Sequence, residues 1–200
     1  MGRLDGGAQL PRLGKDEIIQ RVEELLDECW DGVFPVDVEA VCDYLGVAIV
    51  PVVGLKDEFG VEAFIAADFE TIYVDDAEFQ EESNRYRFSV AHELGHLVLH
   101  REYFSSRVES FDEWVSLVSG GCNYAEFQAN YFAGSLLAPE EELAGVLNAK
   151  FGGSMARNYW RVGREEFERI MREVRKFFKV SEQVVTIRMG EMVYGLEIPG

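Results

Sequence analysis

Arg85-Tyr86-Arg87-Phe88-Ser89-Val90-Ala91-His92-Glu93-Leu94-Gly95-His96-Leu97-Val98-Leu99-His100 is the stretch on which the reading of this chain turns. At 100° per residue, His92 and His96 fall about 40° apart around a helix axis and one turn apart along it, so both imidazoles can reach a single ion. Val90, Ala91, Leu94, Leu97 and Val98 make the other side of that helix apolar. Glu93 stands beside the pair, placed to take a proton from a water on the ion and return it to a leaving amine, not to bind the ion itself. The competing reading makes these two core histidines satisfied by backbone carbonyls. Against it, an HExxH string arises by chance in a chain of this length with a probability of about one per cent or less, and all three histidines of the sequence lie between positions 92 and 100.

A catalytic zinc takes three protein ligands and leaves a fourth position for water. Glu126-Phe127-Gln128-Ala129-Asn130-Tyr131-Phe132-Ala133 offers the third ligand on a following helix. Glu126 and Asn130 share one face, so Glu126 can complete the metal shell while Asn130 bonds the outer nitrogen of a ligand histidine. Ala129 and Ala133 let the two helices approach closely. A solvent-facing Glu126 is the plainer alternative, and Cys122 is a weaker ligand, since a thiolate does not suit the open, hard shell that hydrolysis requires. His100 lies two turns and about 12 Å along the helix from His92, too far to share its ion. It reads as a cation at the helix C-terminus or as a buried hydrogen-bond partner. The oxyanion stabiliser stays open among Tyr131, Tyr124, Tyr73 and an arginine.

Outside these motifs, Ile18, Val22, Leu25 and Cys29 draw one apolar stripe on a helix from Lys15 to about Trp30. A shorter helix is expected from Asp37, with Val38, Val41 and Leu45 inward, stopping at Gly46. Val47 to Val53 reads as a strand whose Pro51 points to an edge or an end. Val61–Ala66 and Thr71–Val74 read as a hairpin, followed by an acidic loop from Asp75 to Glu82, with Ser83 as N-cap of the histidine helix. Arg101 to Gly121 has weak periodicity and suits a lid or substrate-facing loop. Helices are then expected over Ala125–Leu137, from Pro139, over Arg164–Phe178 with Phe167, Ile170, Val174 and Phe177 inward, and after Ser181. The fold class is α+β: a mostly helical, zincin-like domain over residues 15–200, with a small antiparallel or mixed sheet before the HExxH helix. Residues 1–14, rich in glycine, are expected to form a flexible leader.

The net charge of −18, spread along the chain, disfavours direct nucleic-acid binding and favours a basic protein partner. No apolar run approaches a membrane span, and no secretion signal is visible. Cys29, Cys42 and Cys122 have no CxxC spacing and read as reduced thiols of a cytoplasmic protein.

The segment Arg85–His100, followed by Glu126–Ala133 and Leu136-Leu137-Ala138-Pro139, resembles the ImmA/IrrE family of metallopeptidases. The resemblance covers roughly residues 30 to 190. It implies a zinc ion held by His92, His96 and Glu126, a gluzincin-like set, with Glu93 as the base. It also implies cleavage of a DNA-binding, helix-turn-helix repressor in a phage, mobile-element or stress-response circuit. The rival expectation is a zinc-stabilised module that sequesters a repressor or antitoxin without cutting it. The carboxylate of Glu93 argues for cleavage, because a purely structural zinc site has no use for it.

Overall fold

The computed structural model describes residues 10–81, 83–105, 123–153 and 161–194. In chain order the elements are α1 (Lys15–Cys29), α2 (Val38–Leu45), β1 (Ala48–Val52), α3 (Leu55–Phe59), β2 (Ala63–Ile65), β3 (Thr71–Asp75), α4 (Asp76–Glu81) and α5 (Asn84–Ser105). They continue as α6 (Asn123–Leu137), α7 (Glu140–Lys150), α8 (Arg164–Phe178) and α9 (Glu182–Tyr194). The architecture is α+β, mostly helical, with one three-stranded mixed sheet.

Local chemistry sets most of the boundaries. The apolar stripe of α1 is buried through Ile18, Val22, Leu25 and Leu26. Asp37 caps α2 by accepting the N–H of Ala40 at 3.1 Å, and Gly46 ends it at a φ of 72°, which a residue with a side chain adopts only under strain. Ser83 Oγ accepts the N–H of Tyr86 at 3.0 Å at the start of α5. Ser181 does the same for Val184 at 3.3 Å ahead of α9.

The sheet order is β1-β3-β2, with β1 parallel and β2 antiparallel to β3. Pro51 lies in β1 at the sheet edge, where its missing N–H costs least. Some stretches depart from the sequence reading. The acidic run after Val74 is not a loop: Asp75 ends β3, its carboxylate accepts the N–H groups of Lys56 at 3.0 Å and Ala77 at 3.1 Å, and α4 starts on that cap. Further along, Phe178 and not Phe177 faces inward on α8, and Phe177 remains 45% exposed against the ring of Phe34.

α5 is the central element. It is buried on nearly every side, through Val90, Ala91, Leu94, Leu97 and Leu99 among others, because the sheet covers it through β2 and β3 while α6 covers it opposite. The core cluster is continuous from Ile18 to Met189. Of the expected leader, residues 1–9 lie outside the described residues, while Leu13 packs against the core. No helix among the described residues is long and apolar enough to cross a membrane.

Candidate metal centre

His92, Glu93 and His96 project from α5, and Glu126 comes from α6. The two helices approach closely because Gly95 carries no side chain on the contact face: a Cβ there would meet the Cα of Ala129 at 3.0 Å. Of the two alanines expected to permit close packing, Ala129 stands directly opposite Gly95, and Ala133 is buried on the same helix. Glu126 is thereby brought over the two rings. His92 Nε2 lies 3.2 Å from Glu126 Oε2, His96 Nε2 lies 3.3 Å from Glu126 Oε1, and the two Nε2 atoms are 3.1 Å apart.

This is the one group of three candidate metal-ligating side chains found among the described residues, with donor atoms all within 4.8 Å of one another. Two imidazoles and a carboxylate form a donor set that zinc accepts readily. Side-chain exposure rises from 4% at His96 through 15% at His92 to 35% at Glu126, so the cluster is closed on one side and open to solvent on the other. A catalytic ion needs that opening for water and substrate.

Each histidine has an outer partner. His92 Nδ1 lies 3.1 Å from Asn130 Oδ1. His96 Nδ1 lies 3.1 Å from His100 Nδ1, and His100 Nε2 lies 2.8 Å from Gln128 Oε1. Glu93 is buried, and its Oε2 accepts the backbone N–H of Ile65 in β2 at 2.8 Å, which ties the sheet to the centre.

Burial pushes the Glu93 carboxyl up, against the opposing charges of His96 and His92 and the Ile65 hydrogen bond. Burial also works against a charged His92, but the Glu126 hydrogen bond and the nearby carboxylate charges outweigh it and raise its pKa. For Glu126 the hydrogen bonds from His92 and His96 overcome burial and hold the carboxyl well below its usual range. Burial pulls His100 down to about 4.

Of the tyrosines expected as oxyanion candidates, Tyr124 and Tyr131 have hydrogen-bonded hydroxyls. Tyr124 is exposed and its hydroxyl donates to the Leu13 carbonyl at 3.1 Å. The Tyr131 hydroxyl accepts from Arg188 at 3.1 Å. Tyr73 stacks on Phe64 with ring centroids 5.1 Å apart. Of the stretch expected as a lid or substrate-facing loop, residues 101–105 are the last turn of α5 and not a loop, while residues 106–121 and Cys122 lie outside the described residues. A cleft of about 760 Å³ borders Asn130, lined also by Phe88, Ser89, Tyr131 and Arg188.

Two participants escaped sequence reading. Ile65 contributes a backbone N–H, which no side-chain pattern reveals. Gln128 left a signal: Ala125, Ala129, Phe132, Ala133 and Leu136 form a buried stripe on α6, and Gln128 is a polar residue at a position of that same stripe.

The model of the family described as Peptidase_M78, IrrE N-terminal-like domain, matches residues 70–189, a span that contains His92, Glu93, His96 and Glu126. No curated protein matches the chain.

Proposed function

The chain belongs to the M78 family of IrrE-like peptidases, and on that premise we propose that it is a zinc-dependent endopeptidase of the cytoplasm whose substrate is a helix-turn-helix repressor. In this reading His92, His96 and Glu126 hold the zinc, Glu93 is the general base, and Asn130 orients His92. The observation that carries it is the convergence of three donor atoms within 4.8 Å beside a buried carboxylate that is not one of them.

Zinc bound there supplies a Lewis acid that polarises the scissile carbonyl and brings the pKa of a water toward neutrality. The chain's own residues do the rest. The Ile65 N–H anchors Glu93 Oε2, which leaves Oε1 the freer oxygen for proton transfer. Glu93 takes the proton of the attacking water and delivers it to the leaving amine, so its carboxyl must cycle between ionised and neutral forms. A site that raises its pKa favours such cycling near neutral pH. Asn130 accepts from His92 Nδ1, leaving Nε2 bare for the metal.

The substrate class rests on the family resemblance and on charge. A net charge of −18 attracts a basic, DNA-binding partner and accelerates encounter. The test is to incubate the zinc-loaded protein with helix-turn-helix repressors, beginning with any encoded beside its gene, and analyse the mixture by mass spectrometry. Discrete fragments that vanish with chelator or in Glu93→Gln are expected. Co-elution of two intact proteins would instead support the sequestering module.

A further inference from the structure

Behind His96 runs a chain of hydrogen bonds whose direction is fixed from its far end. Gln128 Nε2 lies 3.0 Å from the Pro11 carbonyl and 3.3 Å from the Leu13 carbonyl. Backbone carbonyls only accept, so the amide nitrogen must face them and the amide oxygen must face His100. That oxygen, 2.8 Å from His100 Nε2, accepts in turn, and His100 Nε2 therefore carries a proton. His100 is 1% exposed, with Nε2 against the Gln128 amide, Nδ1 against the His96 ring and no carboxylate among the described residues bonded to either, so burial favours a neutral ring with a bare Nδ1. A bare nitrogen accepts, and the neighbouring His96 Nδ1 at 3.1 Å must donate. With Nδ1 committed to that bond, the nitrogen His96 can offer to a metal is Nε2, the atom that faces His92 and Glu126.

We propose that His100 and Gln128 are positioning residues that, anchored by the Pro11 and Leu13 carbonyls, fix the tautomer and orientation of His96 so that Nε2 is presented bare to the metal. The segment before α1 is thus the outer end of a four-membered relay into the centre: backbone carbonyls, Gln128, His100, His96. The Tyr124 hydroxyl, bonded to the same Leu13 carbonyl, pins that segment from α6 as well. The inference takes from the proposed function only that His96 binds zinc through Nε2. The relay explains why α6 carries a glutamine in its buried stripe and why a third histidine lies one turn beyond the second.

The relay is read directly by long-range proton–nitrogen NMR on the full chain labelled with ¹⁵N-histidine, first without zinc. His100 is expected as the Nε2–H tautomer, with a nitrogen–nitrogen scalar coupling between His96 Nδ1 and His100 Nδ1. His100 found as the Nδ1–H tautomer overturns the proposal, whether or not the protein binds zinc or cleaves anything. A second arm measures zinc affinity by competition with a chromophoric chelator. His100→Leu and Gln128→Leu are expected to weaken binding about 10- to 100-fold, whereas His100→Gln, whose amide oxygen can accept from His96 Nδ1, recovers most of the loss. A relay that only stabilises the fold would lower the melting temperature of His100→Leu while leaving the affinity of the folded protein unchanged, and that result also overturns the proposal. Absence of zinc binding in the unaltered protein would count against the proposed function and not against the tautomer assignment.

Discussion

Gly95 of α5 faces the backbone of Ala129 of α6 so closely that a Cβ at position 95 would stand 3.0 Å from the Ala129 Cα and 3.1 Å from its carbonyl oxygen. The glycine inside the HExxH string is therefore a packing residue, and the distance it allows carries Glu126 to the histidines. Gly95→Ala should gain about 1 kcal/mol of helix propensity but lose about 1–3 kcal/mol to overpacking. The opposing atoms are backbone of a buried helix and cannot rotate aside. A net loss of stability is expected in urea unfolding, together with weaker zinc binding as α6 shifts. An alanine variant with unchanged zinc affinity would show that the spacing of the helices is not what places Glu126.

Asn130 touches the centre through one bond, 3.1 Å from His92 Nδ1, and its side chain is otherwise exposed. Asn130→Ala should weaken zinc binding about 10- to 100-fold while changing stability by less than about 1 kcal/mol. Chelator competition and a thermal melt on the same sample separate the two effects. Equal affinity in the variant would remove Asn130 from the account.

Acid should destabilise the metal-free protein through His100. Its pKa is about 4 in the fold against 6.5 for the ordinary group, so between those values the unfolded chain binds the extra proton. Stability then rises with pH, is complete above the unfolded value, and is lost as pH falls through the window. From pH 7 to pH 5 this amounts to about 2 kcal/mol. In His100→Asn the drop between those two pH values, measured by urea unfolding in chelator, should shrink by about that amount. An unchanged drop would mean that His100 titrates normally in the folded protein.

Much of the centre was legible because a helix converts sequence spacing into geometry. The i, i+4 separation puts His92 and His96 on one face, and the same spacing pairs Glu126 with Asn130. The caps at Asp37 and Ser83 were legible because short polar side chains act within three residues of themselves. What stayed hidden depends on distant partners. The parallel pairing of β1 with β3 joins Ala48 to Thr71 across a helix and another strand, and α3 is only five residues long. The run after Val74 looked like a loop because its acidic residues show no apolar stripe, while the cap that starts α4 also holds Lys56 of a different element. Phe177 and Phe178 are both aromatic, and periodicity could not tell which faces inward. The tyrosines were chosen by chemistry alone, and the hydroxyls of Tyr124 and Tyr131 are directed by contacts with Leu13 and Arg188 that no local pattern announces.

The central claim is that Glu93 does chemistry at an ion it does not hold, whereas Glu126 holds the ion. It is tested most directly by measuring bound zinc per chain and cleavage rate side by side for the unaltered protein, Glu93→Gln and Glu126→Gln. The account expects one zinc and activity in the first, and one zinc with cleavage reduced at least about 100-fold in the second. In the third, both metal and activity should be lost. A Glu93→Gln protein that retains its zinc and still cleaves at the original rate would contradict the account.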